Sequence, residues 1–496
     1  MKDSVFIIFF HDQSGVNHVF YSYFCEVTCL KKIIYMNFRF ILLFLIPFLS
    51  FTAQATVFEN NAVTPPDSTT KLIDKSSAFM MIEEGKRLFS EGKMRDALSQ
   101  FREAAVKDPN SWKPIYWIGE CHYAMSNFGF ALKYASEALK NNSSDVEKEV
   151  YFLLGKSYHH LGKLDSAITN YQFALTHLTA SRSKELGISS KIDQCVFAKK
   201  ALEVGAKSKR VNLNPDVNSS FNDYSPILSN DGKMLYFTSR RSDTKGSRMN
   251  PDDQEYFEDV YRAVWNESTQ KWDSITNNID RINTDGFDSF SHLSADGLSA
   301  LMTVNTTATD NKKTTEGSDL FELAFTNKGK WATPKSIVNQ TINTSFFEGC
   351  PTMTGDGNTM YFVSDREGEK KMSDIYVVHK KGKTWGEAVA ISDSVNTAGN
   401  ETTPYITSDG KYLFFSSDGH LGMGGYDVFV SENLGNNWSK PKNLGTIVNT
   451  VNNDTHFKYY KELEKAFMAG FEIVGNKSSM DIYEVDMKGY VFPIFY

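Results

Sequence analysis

Between about Asn222 and Asp486, short apolar runs and turn residues recur five times in one order. The clearest unit runs Tyr405-Ile-Thr-Ser-Asp-Gly-Lys-Tyr-Leu-Phe-Phe-Ser-Ser417, then Tyr426-Asp-Val-Phe-Val430, Trp438 and Asn449-Thr450. Asp-Gly pairs stand at Asp231, Asp296, Asp356 and Asp409. An Asp-apolar-aromatic triplet follows each pair, at Asp259, Asp319, Asp374 and Asp427, and a fifth begins at Asp481. Trp272, Trp331, Trp385 and Trp438 come next, and Asn-Thr closes the units at Asn283, Asn343, Asn396 and Asn449. A fixed period of this length marks a repeat array or a propeller. Asp-Gly between apolar runs predicts a two-residue hairpin with both turn residues at positive φ. The triplet predicts a third strand and the Trp a fourth, which makes each unit a propeller blade. The fifth unit lacks the Trp and the Asn-Thr ending. Val211-Asn-Leu-Asn-Pro-Asp-Val-Asn-Ser219 copies that ending and precedes the first unit. It is therefore expected to pair with the Asp481–Asp486 strand and close a five-bladed ring, because an open blade would expose an unpaired edge.

The period changes upstream. Helical spacing begins near Ser76, and Gly85, Gly119 and Gly155 recur at tetratricopeptide distance. Ala97, Ala131 and Ala167 keep the same offsets, as do Ala104, Ala138 and Ala174. Phe101 and Tyr171 hold the large position between them, where the middle repeat has Ala135. Small residues let paired helices approach closely. A further helix over about Lys184–Gly205 is expected to cap the open end, as a short solenoid requires. The fold class is thus an α-helical tetratricopeptide solenoid over residues 76–206, then an all-β five-bladed propeller over 207–496.

Residues 56–75, with Thr64-Pro-Pro-Asp-Ser-Thr-Thr70, read as a polar tether. Met36–Ala55 carries the order of an export signal: Arg39, the apolar run Phe40–Phe51, then Ala53-Gln54-Ala55. Residues 1–35 read as an extension ahead of the true start, and the alternative for Ile33–Phe51 is a transmembrane helix broken by Pro47. The formal charge is −7, with no basic stripe for nucleic acid. Cys121, Cys195 and Cys350 are too scattered for a disulfide framework or a metal cluster and read as buried small hydrophobes. No cofactor or metal is expected.

Asp409-Gly-Lys-Tyr-Leu-Phe-Phe-Ser-Ser-Asp-Gly-His-Leu-Gly-Met-Gly-Gly-Tyr-Asp-Val-Phe429 resembles the WD40-like repeats of TolB-type propellers. Its glycine-rich insert resembles the form found in Bacteroidetes envelope proteins. Those join a signal peptide, tetratricopeptide repeats, this propeller and often an OmpA-type peptidoglycan-binding domain, and they include type IX secretion and gliding components. The resemblance spans about Ser76 to Asp486. No OmpA-type domain follows here up to Tyr496, so direct peptidoglycan binding is not carried over. The resemblance implies a periplasmic or outer-membrane-associated scaffold with other envelope proteins as partners.

The sequence carries few chemical signatures. No zinc-protease, nucleophile-elbow or phosphate-loop pattern occurs. His159-His160 reads as a solvated helix face, and Gly422-Met-Gly-Gly425 as a tight blade loop. Aspartates repeated in every unit read as turn and strand-start residues, since a catalytic acid pair is needed once. Ser431-Glu-Asn-Leu-Gly-Asn-Asn-Trp438 resembles the Asp-box turn of sialidase-type propellers, yet Arg366 is the only arginine after Arg281. A non-enzymatic scaffold is expected, and a propeller hydrolase acting on glycans or peptides is the alternative. The two differ in whether carboxylates and arginines converge in the funnel. Tetratricopeptide positions that face the partner groove fall on Lys86, Lys113, Tyr116, Glu120, Tyr123, Glu149, Lys156 and His159, the alternative being that these are merely solvated.

Overall fold

The structure, a computed structural model, describes residues 8–11, 17–20, 68–141, 148–205, 210–213, 215, 217–305, 317–366, 372–474 and 477–490. The expected leader at Met36–Ala55 lies outside them. Of the extension before it, two antiparallel strands are described, β1 (Ile8–His11) and β2 (Asn17–Phe20). No helix among the described residues is long and apolar enough to cross a membrane. Pro66–Tyr496 forms one compact unit.

Three helical pairs open that unit: α1 (Ser68–Ser90) with α2 (Met94–Lys107), α3 (Trp112–Ala124) with α4 (Phe128–Asn141), and α5 (Glu149–His160) with α6 (Leu164–His177). The repeated small residues explain the pairing. All six repeated alanines are fully buried. A Cβ at Gly85 would run into the Phe101 ring, and one at Gly155 into the Tyr171 ring. In the middle pair, Ala135 leaves room that Leu153 of the next repeat fills against Gly119. Helix α1 starts eight residues before Ser76, inside the stretch read as a tether. The expected cap is two helices, α7 (Ala180–Glu185) and α8 (Ile188–Val204). Gly187 sits between them at φ 60°, a conformation that ends α7 and turns the chain.

Five antiparallel sheets follow as five blades. Blade one holds β4 (Asp223–Leu228), β5 (Met234–Ser239), β6 (Asp259–Asn266) and β7 (Lys271–Thr276). Blade two holds β8 (Phe287–Leu293), β9 (Ser299–Asn305), β10 (Asp319–Thr326), β11 (Lys330–Trp331) and β12 (Lys335–Ser336). Blade three has β13 (Glu348–Met353), β14 (Thr359–Ser364), β15 (Asp374–Lys381), β16 (Thr384–Trp385) and β17 (Val389–Ala390). Blade four has β18 (Glu401–Ile406), β19 (Tyr412–Ser417), β20 (Asp427–Glu432) and β21 (Lys442–Asn443). Blade five has β22 (Asp454–Tyr460), β23 (Lys465–Val474), β24 (Lys477–Asp486) and, from the other end of the domain, β3 (Arg210–Asn212). The innermost strands touch in the cyclic order β4, β8, β13, β18, β22 and back to β4.

The Asp-Gly turns differ from the two-residue expectation. Only the glycine is at positive φ, and the loop is longer. Asp231 accepts from the Ser229 hydroxyl and the Lys233 N–H, and Asp296, Asp356 and Asp409 do the same in their own turns. Each carboxylate sits below its ordinary pKa, chiefly through that hydroxyl bond. An aspartate that caps its own loop makes a second left-handed residue unnecessary.

The Asn-Thr endings form a polar lock between blades. Asn283 Oδ1 accepts from Val260 N–H, and its Nδ2 donates to Val260 C=O. Asn343 treats Leu320 this way, Asn396 Ile375 and Asn449 Val428. The next residue then ties down a carboxylate four positions on: Thr284 with Asp288, Thr344 with Glu348, Thr397 with Glu401, Thr450 with Asp454. All four carboxylates are fully buried.

Closure follows the same grammar. β3 pairs antiparallel with β24, Asn212 opposite Tyr483 and Arg210 opposite Val485. Asn218 then grips Ile482 N–H and C=O at 2.8 and 2.9 Å, and Ser219 binds the buried Asp223. The copied segment thus supplies the fifth lock. Arg210 adds an ion pair to Asp454 at 2.5 Å, with both groups buried.

Candidate partner-binding site

Helices α1, α3 and α5 lie side by side, and the proposed groove positions are on them. On α3, Tyr116, Glu120 and Tyr123 are spaced to share one face. The Tyr116 hydroxyl donates to Glu120 at 2.8 Å. Lys156 of α5 reaches across to the same carboxylate at 3.1 Å, and its ammonium lies 4.1 Å from the Tyr123 ring centroid. Tyr123 and His160 share a hydrogen bond of 3.0 Å. Burial, and then the neighbouring Glu120, push the Tyr123 hydroxyl well up, and burial likewise raises Tyr116. Four of the eight residues therefore form one network.

The other four are placed separately. Glu149 pairs with Arg182 of α7 at 2.9 Å. Lys86 pairs with Glu83 and sits over Trp117, and Lys113 is exposed on the first turn of α3. His159 points away from solvent: it is 3 % exposed, and its Nε2 meets the Met423 carbonyl at 2.8 Å.

That contact corrects the solvated reading of His159-His160. Both imidazoles dock the solenoid on the propeller, His160 through Nδ1 to Asn452 at 3.0 Å. Burial holds their pKa values down, to about 4 for His159 and about 3 for His160, so both are neutral at pH 7. The glycine-rich loop is the receptor. Asp427 folds it by accepting from Met423 and Gly424 N–H, and a Cβ on Gly424 would strike the Val451 carbonyl. Met423 itself, 1 % exposed, packs with Phe152, Tyr171, Ile188 and Cys195. A second attachment lies at the α1–α2 turn, where Arg95 N–H donates to Gln254 at 2.9 Å. Gly205, after α8, abuts Thr446. The sequence signal for the docking loop was its insert, present in the fourth unit; Asn452 and Gln254 carried no signal.

These contacts all involve loops between strands two and three of a blade, or between blades. The Asp-Gly turns join strands one and two and lie at the other end of the ring, away from the helices. There the channel opens as a pocket of about 470 Å³. Its lining includes Lys458, Tyr405 and Tyr460, with Asp296, Asp356 and Lys380 among its residues, and, among the described residues, no arginine. Among the described residues no group of three His, Cys, Asp or Glu side chains is placed to hold a metal.

No family model and no curated protein matches this chain. Several solved structures are similar in part. The first tetratricopeptide domain of Spaghetti (RPAP3), bound to an HSP90 peptide, is 22% identical over 25% of this chain and 95% of that one, with a TM-score of 0.22. The Yersinia enterocolitica type III secretion chaperone SycD, in complex with a peptide of the translocator YopD, is 20% identical over 26% and 98%, with a TM-score of 0.24. The Pseudomonas aeruginosa periplasmic gluconolactonase PpgL is 9% identical over 52% and 70%, with a TM-score of 0.30.

Proposed function

We propose that this chain is a non-enzymatic interaction scaffold of the bacterial envelope, which holds a segment of another envelope protein along its α1–α3–α5 face. The observation that carries the reading is the network Tyr116–Glu120–Lys156–Tyr123–His160–Asn452. It spans two repeats, fixes aromatic rings and an ion pair, and ends on the propeller. A face ordered before its partner arrives loses little side-chain freedom on binding. The lining of the channel supports the non-enzymatic half of the reading, since its two aspartates serve their own turns. Export, a periplasmic or outer-membrane-associated place and a role in secretion or envelope assembly rest on the Met36–Ala55 pattern and the repeat order.

The test is photo-crosslinking in cells of the source organism. A crosslinker at Lys113, on the proposed face, is expected to give at least tenfold more of a discrete adduct than one at Glu103, which is exposed on α2. Equal capture from both positions would overturn the assignment of the face.

A further inference from the structure

Lys458 lies on β22, the innermost strand of blade five, and its side chain lines the channel pocket. It is 8 % exposed. Its ammonium donates to the Ser291 carbonyl at 2.7 Å and lies 5.7 Å from the Tyr405 ring centroid. The titratable groups around it are Cys350, His292, His456 and the phenols of Tyr405 and Tyr460. Burial, and then Lys458 itself, keep both imidazoles neutral, and burial keeps Cys350 a thiol. No carboxylate pairs with Lys458 among the described residues. Burial lowers its pKa to about 8, which leaves it mostly charged at pH 7.

An ammonium held in a protein interior without a counter-ion is costly, and such groups are ordinarily paired. Three other largely buried cations of the ring follow that rule: Arg210, Arg241 and Arg366 each meet a buried carboxylate. Lys458 departs from it where the ring is hollow and open to solvent. A second donor shares the pocket. The Tyr460 hydroxyl accepts from Leu228 N–H at 2.8 Å, and its own O–H meets no acceptor among the described residues.

We propose that the channel binds a small organic monocarboxylate, its carboxylate on Lys458 and Tyr460 and its body against the apolar wall of Leu228, Met353 and Ile406. The volume of about 470 Å³ suits a ligand of that size. At the mouth, Asp296 and Asp356 are ionised and outnumber Lys380, which disfavours phosphates and other polyanions. The carboxylate can belong to a free acid or to the C-terminus of a peptide; the recognition chemistry is shared.

The test uses the full chain in chloride-free buffer. Benzoate and butyrate are titrated calorimetrically beside benzamide and butyramide, and beside short N-acetyl peptides with free or amidated C-termini. The acids are expected to bind at least tenfold more tightly than the matching amides. If free-ended peptides exceed the simple acids tenfold, the source is a chain end; the reverse order makes it a free acid. Lys458→Met is expected to weaken carboxylate binding at least tenfold while melting no lower than the parent chain. A readout independent of that variant is amine-specific labelling followed by peptide mass mapping. Benzoate, and not benzamide, is expected to slow modification of Lys458 at least tenfold. Equal binding of acid and amide, absence of carboxylate binding, or labelling of Lys458 unaffected by benzoate would each overturn the proposal.

Discussion

The propeller repeats its polar chemistry, whereas the solenoid repeats only its small residues. In the ring, one asparagine in each blade grips the same backbone position, and the next hydroxyl ties down a buried carboxylate. In the solenoid, glycines and alanines recur, but the polar side chains differ from repeat to repeat and find different partners. Glu120 meets lysine, Glu149 meets arginine, and His159 meets a carbonyl of the propeller. The ring is therefore built to close on itself. The solenoid is built to be held, and the segment after its last helix is the strand that closes the ring.

The largest effect should come from deleting that strand. A chain lacking Arg210–Val217 leaves β24 with an open edge and Asp454 without its cation. A drop in melting temperature of roughly 10–20 °C is expected, with aggregation. Calorimetry checks it, and an unchanged melt would mean that the ring closes another way. A narrower cut is Arg210→Met, which keeps the strand but strands a buried carboxylate. Removing one partner of a buried pair costs about 3–5 kcal/mol. Urea unfolding at pH 7 should report that loss, and a change below the error of the method would show that the pair contributes nothing net to stability.

The ring was legible because its signals are local and repeated. Asn-Thr marked the lock and the copy at Val211–Ser219 marked closure, although the carboxylate four residues later went unread. The docking of the solenoid was not legible. His159 and Met423 are 264 residues apart, and nothing in the spacing of His159-His160 separates a solvated pair from one buried against a distant loop. The turns were legible as turns, but their geometry depends on the aspartate capping its own loop, which composition alone leaves open.

Two smaller changes sharpen the solenoid side. Gly155→Ala forces a methyl into the Tyr171 ring, and overpacking of this kind costs about 1–3 kcal/mol. Because Tyr171 packs in the cluster that contains Met423, proteolysis within the Gly422–Gly425 loop should accelerate as well. Acid should loosen the same junction. His159 and His160 have folded pKa values of about 4 and about 3, below their ordinary 6.5, with Lys191 and Lys156 facing them. Their contribution to stability is complete above pH 6.5 and is lost as the pH falls toward 4, because the unfolded chain takes up protons first. At pH 5 the parent chain should lose about 4 kcal/mol more, relative to pH 7.5, than the variant His159→Asn with His160→Gln. Equal losses would place the histidines outside the linkage.

Helices and propeller form one mechanical unit, joined at the docking loop and at the closing strand. Thermal unfolding at pH 7, followed by two probes, tests it most directly. Helical circular dichroism reports the solenoid, and a fluorine label on the tryptophans separates Trp112 and Trp117 from the five in the propeller. Coincident transitions at one temperature are expected. A solenoid that melts well below the propeller, leaving the propeller tryptophans undisturbed, would contradict it.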